Sequence, residues 1–480
     1  MSGISLHVAI PCLDELYELP GCLSSFLWSG EGRTGNTEKS ESRGENTGGG
    51  KEEREMVDRA VWRDPDIWVC VNQPESWWDD DDEDKREICR RNQDTIDMLR
   101  AFRGLRIHVI DRSSRGRGWP LGGVGVGAAR REILKEIMKD FDDQSLVVSM
   151  DADAVVGPGY LRQVVETFYE CPGAKGMVAP YYHPLSGDDR LDRAILRYEI
   201  YMRMYLIGLL KIGSPYAFTA LGSVLSFSLK SYKEVRGFPA KEAGEDFYLA
   251  QKLRKLGPLC LWGAGPVFPS PRESTRVPFG TGPAVRRGVR GDHSSYPLFP
   301  YEYFEEVAQT AGMFEQFFRK GSATPIDGFF EKVFGRSDPF DVLRKNHRNM
   351  ESFVRACHER LDGLRIFQYL RLRRNGQEDL SDEDIAASWL NGPLREDLDA
   401  WNGGSDTGGK KEPDEVGGAC AMGACGVGTE LFGFTQRGWS FVDCDLGALS
   451  EFREFLYHVE SSLRRERQNY ISKNREVGWF

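Results

Sequence analysis

Leu146-Val-Val-Ser-Met-Asp-Ala-Asp-Ala-Val-Val156 is the stretch whose reading decides the fold. Leu146 to Val148 is short, apolar and β-branched, the pattern of a buried strand. Two carboxylates one residue apart follow it, Asp151 and Asp153, and Gly157-Pro158-Gly159 breaks the chain before a helical pattern from Tyr160. In open α/β sheets, ligands bind outside the carboxyl ends of the strands. An Asp-x-Asp pair there offers hard oxygen atoms to Mg²⁺ or Mn²⁺, ions held by one or two carboxylates plus substrate phosphates. A polar turn after a strand is the plainer reading of the same residues.

Working outward, strands alternate with helical patterns on both sides. Leu6 to Ile10 is an apolar strand ending at Pro11, with Asp14 and Glu15 after it and a helix through Leu19, Leu23 and Phe26. Asp66 to Val71 is a second strand closing on Asn72, and Arg106 to Ile110 a third. A helix is expected over about 86–102, others from Ala129 through Ile137 and from Tyr160 to Glu170, and a strand from Lys175 to Ala179. This alternation predicts an α/β fold with a mainly parallel sheet. Residues 188–212 read as a long helix with Leu191, Ile195, Tyr198, Met202 and Leu206 on one face and Arg193, Arg197 and Arg203 beside them. A core helix with a solvated basic edge is expected, and peripheral contact with a membrane surface is the alternative. Ala220 to Ser228 is a strand with a glycine at 222, and Gly244-Glu-Asp-Phe opens a helix with Glu245 and Asp246 in its first turn.

Bulk properties narrow the function. The chain has 480 residues, 40% of them hydrophobic, enough for a large core and more than one domain. Its net charge of −11 gives no basic field for nucleic acid. Ten irregularly spaced cysteines suggest reduced thiols in a cytoplasmic protein, and Cys420 with Cys425 lacks the second pair that zinc requires. Met1 to Ile10 does not read as a signal peptide, and no window reaches the ~18 apolar residues of a membrane span. The segments 29–55 and 75–85 are expected as disordered polar insertions. The remainder is expected as a helical region at 297–400, a Gly-rich linker at 402–428 and a helical C-terminal segment at 429–480.

The order of motifs carries a resemblance. A strand ending at Pro11 with Glu15 beyond it, then Asp151-Ala-Asp153, then Gly237-Phe238 ahead of Glu245-Asp246, resembles the family 2 glycosyltransferases of the GT-A fold over residues 5–265. The resemblance implies a GT-A domain over 1–290 that moves one sugar from a nucleotide-diphosphate donor to an acceptor hydroxyl on a saccharide, a lipid-linked molecule or a small metabolite. It implies that Pro11, Glu15 and Asn72 lie beside the nucleotide, that Asp153 carries Mg²⁺ or Mn²⁺ and that Asp151 supports it. It also implies Asp246 as the general base of an inverting enzyme, with Glu245 shaping it. A divalent cation suits such a reaction because it neutralises charge building on the diphosphate leaving group.

Further candidates surround these. The Gly-rich turn from Gly122 into Ala129-Arg130 departs from the dinucleotide fingerprint, since about ten residues separate it from the strand; Arg130 is the candidate for the donor diphosphate. Arg272, Ser274 and Arg276 form an anion cradle for a phosphate or an acidic acceptor, or else a solvated loop. His293 is a candidate third metal ligand and His183 a weaker one, each weighed against an ordinary structural histidine. Asn72 stands where many relatives carry an acid, and the Gln-x-x-Arg-Trp signature of processive synthases is absent. A catalytically inactive scaffold and a nucleotidyltransferase are the rival readings; the second would require a Gly-rich, Lys-bearing loop after the first strand.

Overall fold

The structure is a computed structural model that describes residues 4–29, 64–120, 125–239, 244–261, 265–274, 280–321, 323–335, 339–377, 379–403, 433–435 and 439–473. Most of the expected insertion at 29–55, the glycine run at 122, Arg276, both Cys420 and Cys425 and nearly all of the linker at 402–428 lie outside these residues.

A seven-stranded sheet runs in the order β3-β2-β1-β4-β7-β6-β8. Its members are β1 (Leu6–Cys12), β2 (Asp66–Asn72), β3 (Arg106–Arg112), β4 (Leu146–Ser149), β6 (Gly176–Val178), β7 (Leu225–Ser228) and β8 (Leu259–Leu261). All seven residues of β1 and of β2 are buried, as strands covered on both faces by helices must be. The pairs β1–β2, β2–β3, β1–β4 and β6–β8 are parallel, whereas β7 runs antiparallel to both β4 and β6. The expected mainly parallel α/β sheet is what the chain forms.

Strand order reverses between β1 and β4, because β2 and β3 build away on one side and the later strands on the other. Their pairing stops at Ala9 and Ser149, with one last bond from Met150 N to Ala9 O. Beyond it the two strands are no longer paired, and this switch point is the crevice position at which open α/β sheets take ligands. Pro11 lies past that pairing, so its missing N–H costs no ladder bond on the β4 side.

Two strands outside the sheet matter for the site: β5 (Ala154–Val156) pairs antiparallel with β9 (Val267–Pro269), Ala154 opposite Pro269. Helices α1 (Leu19–Ser29), α2 (Glu83–Ala101), α3 (Val126–Asp140), α4 (Tyr160–Glu170), α5 (Asp189–Lys211), α6 (Leu229–Glu234), α7 (Glu245–Leu256) and α8 (Thr281–Gly288) belong to the α/β part. Eight more, α9 to α16, run from Tyr301 to Gly403, and α17 (Leu446–Lys473) closes the fold. One apolar cluster extends from Leu6 in β1 to Val459 in α17, so the helical region shares the core of the sheet. No described helix is long and apolar enough to cross a membrane.

Two expectations are corrected here. The acidic stretch 75–85 is not a disordered insertion: Glu75–Asp79 forms a short 3-10 helix, and Asp82 caps α2 by accepting from Asp84 N. The solvated basic edge of α5 is not solvated. Arg197 and Arg203 are buried, and Arg193 donates to the carbonyls of Phe441 and Cys444. Arg203 bonds Glu199 on its own helix and, at 2.7 Å, Glu460 of α17. Glu460 also receives Arg464, whose other nitrogen reaches Val178 O at the end of β6. Burial alone would raise the Glu199 carboxyl, but Arg203 and then His183 outweigh it and hold the group well below its ordinary value. With those arginines engaged inside the protein, the membrane-surface reading of α5 loses its basis.

Candidate active site

The Asp-x-Asp pair sits on a tight turn between β4 and β5, closed by Ala154 N donating to Asp151 O at 3.2 Å. Met150 and Ala152 point into the core, while Asp151 and Asp153 alternate with them and face the crevice. The turn sets Asp151 against Arg130 and Asp153 against Arg272.

Each carboxylate meets an arginine. Arg130, on α3 and wholly buried, donates from Nη2 to Asp151 and from Nη1 to Ser149 Oγ at 3.1 Å. Its Nε lies 3.5 Å from Glu245 at the start of α7. A buried guanidinium is tolerable only when so paired. Gly222 makes room for this: a Cβ there would lie 2.2 Å from Arg130 Nη2 and 2.9 Å from Asp151 Oδ1. On the other side, Arg272 sets Nε 3.0 Å and Nη2 2.7 Å from Asp153 Oδ2, and the same Nη2 bonds Glu15 Oε1. The β5–β9 ribbon explains this contact, because Pro269, opposite Ala154, stands three residues before Arg272.

Glu15 is buried at the carboxyl end of β1. The loop carrying it is fixed by α2: Asp14, at φ 58°, receives Arg91 through two nitrogens, and its backbone N donates to Asn92 Oδ1. Asn72 is placed beside this loop, but its amide is spent within the protein. It donates to Cys12 O and Cys70 O and accepts from Trp119 Nε1 at 3.2 Å. Trp119 is further pinned by Gln73 and Glu75 backbone bonds and lies under the Arg112 guanidinium, 5.1 Å from its ring centre. No sequence motif marks Trp119; a tryptophan closing a polar Arg-Gly loop is its signal.

Helix α7 brings the Glu245-Asp246 pair to the same crevice. Gly244 precedes it at φ 72°, ψ 17°, a left-handed conformation that suits glycine. Burial pushes the Glu245 carboxyl up, and Arg130 opposes this. Asp246 is raised further, to about 7, by burial first and by the charge of Glu245 second. Tyr198 of α5 feels the Asp246 charge and hydrogen-bonds Thr281; its ring centre is 5.3 Å from that of Tyr296. Helical spacing marks Tyr198 only as a core position.

The remaining candidates fall elsewhere. His293 bonds Tyr296 Oη at 2.8 Å, with burial and then Arg197 lowering its pKa, and it is not brought to the Asp-x-Asp turn. His183 is buried with Nδ1 2.7 Å from Glu199. Ser274 abuts Gly282 at the start of α8. Among the described residues no three His, Cys, Asp or Glu side chains gather as a metal-ligand set. The donor set that remains, Asp153 with Asp151 behind it, fits a hard cation completed by substrate phosphates. In this structure Asp153 is paired with Arg272.

No family profile matches the chain, and no curated protein does. Among solved structures, S. aureus TarS 1–349 is similar at 11% identity over 78% of this chain and 93% of that one, with a TM-score of 0.34. Its complex with UDP-GlcNAc gives the same figures. The mannosyltransferase PcManGT from Pyrobaculum calidifontis, in complex with GDP-Man and Mn²⁺, is similar at 13% identity over 82% and 83% of the two chains, with a TM-score of 0.27. Overlaps this loose carry no argument about activity, which rests on the residues of the site.

Proposed function

We propose that this chain is a glycosyltransferase that moves a single sugar from a nucleotide-diphosphate donor to an acceptor hydroxyl, with inversion. The observation that carries the reading is the position and state of Asp246. It stands at the crevice with a carboxyl raised to about 7 and is linked through Glu245 and Arg130 to Asp151. A base with a pKa near the working pH is the most effective kind.

In this reading the diphosphate lies across the switch point. A divalent cation on Asp153, Mg²⁺ or Mn²⁺, supplies charge neutralisation for the leaving diphosphate. Arg130 orients Asp151, and Trp119 offers a ring face beside the nucleotide. Asp246 takes the acceptor hydroxyl proton as the acceptor oxygen forms its bond to the anomeric carbon and the donor C–O bond breaks. Tyr198, which interacts with the Asp246 charge, is the aromatic residue on the acceptor side in this reading. The scaffold reading gives no reason for two adjacent acids gathered with Arg130 and Asp151 at one place. The nucleotidyltransferase reading lacks its Lys-bearing loop after β1.

The test is release of nucleoside diphosphate from a panel of UDP-, GDP- and dTDP-sugars with mixed acceptors. The reading requires turnover of at least one donor by the wild type and its loss in Asp246→Asn. Equal turnover by the two proteins would remove Asp246 from the reaction.

A further inference from the structure

The geometry points to Arg272 as a latch that competes with the divalent cation for Asp153 and couples metal binding to arrival of the donor. The inference rests on the reading of Asp153 as the metal-bearing carboxylate.

Two nitrogens of one guanidinium converge on a single oxygen of Asp153, at 3.0 and 2.7 Å, and the second of them also holds Glu15. The fork thus ties the turn after β4 to the loop after β1, across the mouth of the crevice. A divalent ion on the same carboxylate oxygen would stand within a few ångströms of the guanidinium, where like charges repel strongly at the dielectric of a half-buried site. Asp153 therefore holds one cation or the other. Its neighbours favour the arginine while no other anion is near, because one guanidinium meets both the Asp153 and the Glu15 carboxylates.

A nucleoside diphosphate changes the balance. It brings negative charge that the metal can bridge, and oxygens that accept an arginine fork in place of Asp153. Released from Asp153, the guanidinium transfers to the diphosphate. Metal and donor then help each other bind by the same factor, as linkage requires. Metal alone meets a carboxylate that is already neutralised. The device discourages the loaded-metal, donor-free state and adds a second positive charge to the leaving group once the donor is seated.

Mn²⁺ binding to the full-length protein, followed by the electron paramagnetic resonance of free Mn²⁺, tests this without turnover. Wild type, Arg272→Lys and Arg272→Met are titrated alone and with UDP or GDP, with Asp153→Ala as the site control and thermal melts to verify folding. The latch requires Arg272→Met to bind Mn²⁺ alone at least tenfold more tightly than wild type, with Arg272→Lys between them. It also requires the nucleotide to enhance Mn²⁺ affinity less in Arg272→Met than in wild type. If all three bind Mn²⁺ alone equally while nucleotide-dependent binding through Asp153 persists, the latch is wrong and the transferase reading stands. If no protein binds Mn²⁺ with or without either nucleotide, the latch and the metal assignment fall together.

Discussion

Arg130 and Glu245 meet at 3.5 Å in the interior, the guanidinium reaching Asp151 with one nitrogen and the first acid of α7 with another. This contact joins the proposed donor side of the crevice to the proposed base. Removal of the arginine leaves Asp151 and Glu245 without their shared cation. Arg130→Met should cost about 3–5 kcal/mol, the usual loss when one partner of a buried ion pair is deleted. Urea unfolding should show a lower midpoint, and transferase activity should be lost with it.

The pH dependence follows from the acid pair. Asp246 acts as a base only when ionised, so kcat/KM should rise with pH along a limb centred near its value of about 7. Glu245→Gln removes a like charge that holds Asp246 up, and the limb should move to lower pH. A limb that stays in place in Glu245→Gln would show that Glu245 does not act on Asp246.

The same shift has a stability consequence of definite sign. The folded state holds the Asp246 proton up to about pH 7, whereas the ordinary value of an aspartate, taken for the unfolded chain, is 3.8. The folded protein therefore binds more protons between these values, and this contribution to stability falls as pH rises through the window. Asp246→Asn should melt higher than wild type at pH 8, with the difference shrinking toward pH 4. Its turnover should fall by roughly 10²–10⁴, the usual contribution of general base catalysis.

Gly222 tests the packing around Arg130. A methyl group there would overlap the guanidinium, with its Cβ 2.2 Å from Nη2. Gly222→Ala should cost about 1–3 kcal/mol by overpacking. Displacing Asp151 should lower activity by up to about 10²-fold. Melting temperature and kcat measured together check both.

Much of this site was legible because its parts are local. Asp151 and Asp153 follow an apolar strand and are separated by one residue, so the sequence alone puts both just past a strand's carboxyl end. Glu245 and Asp246 stand behind a glycine at the start of a helical pattern. The role of Arg272 was not legible as found: proximity to Asp153 depends on pairing between β5 and β9, two three-residue strands with no periodicity of their own. Arg203 misled for a similar reason. Its partner Glu460 lies 257 residues away, and no helical pattern shows that a basic edge will be covered by another helix.

That covering helix supports a further prediction. Glu460 accepts Arg203 and Arg464, all three buried. Glu460→Gln should destabilise the whole fold by about 3–5 kcal/mol. The urea midpoint should fall with an unchanged slope, as for a stability loss without loss of cooperativity.

The central claim, that the crevice at the β1–β4 switch point takes a nucleotide-diphosphate donor with a cation on Asp153, is tested most directly by thermal stability. Wild type and Asp153→Ala would be melted with each nucleoside diphosphate, with and without Mn²⁺. A ligand at 100 times its Kd adds about 2.7 kcal/mol, which raises the melting temperature of a large domain by roughly 2–4 °C. The account predicts such a rise for at least one nucleoside diphosphate with Mn²⁺ in wild type and none in Asp153→Ala. No rise in wild type with any nucleotide at saturating concentration, or an equal rise in both proteins, would contradict it.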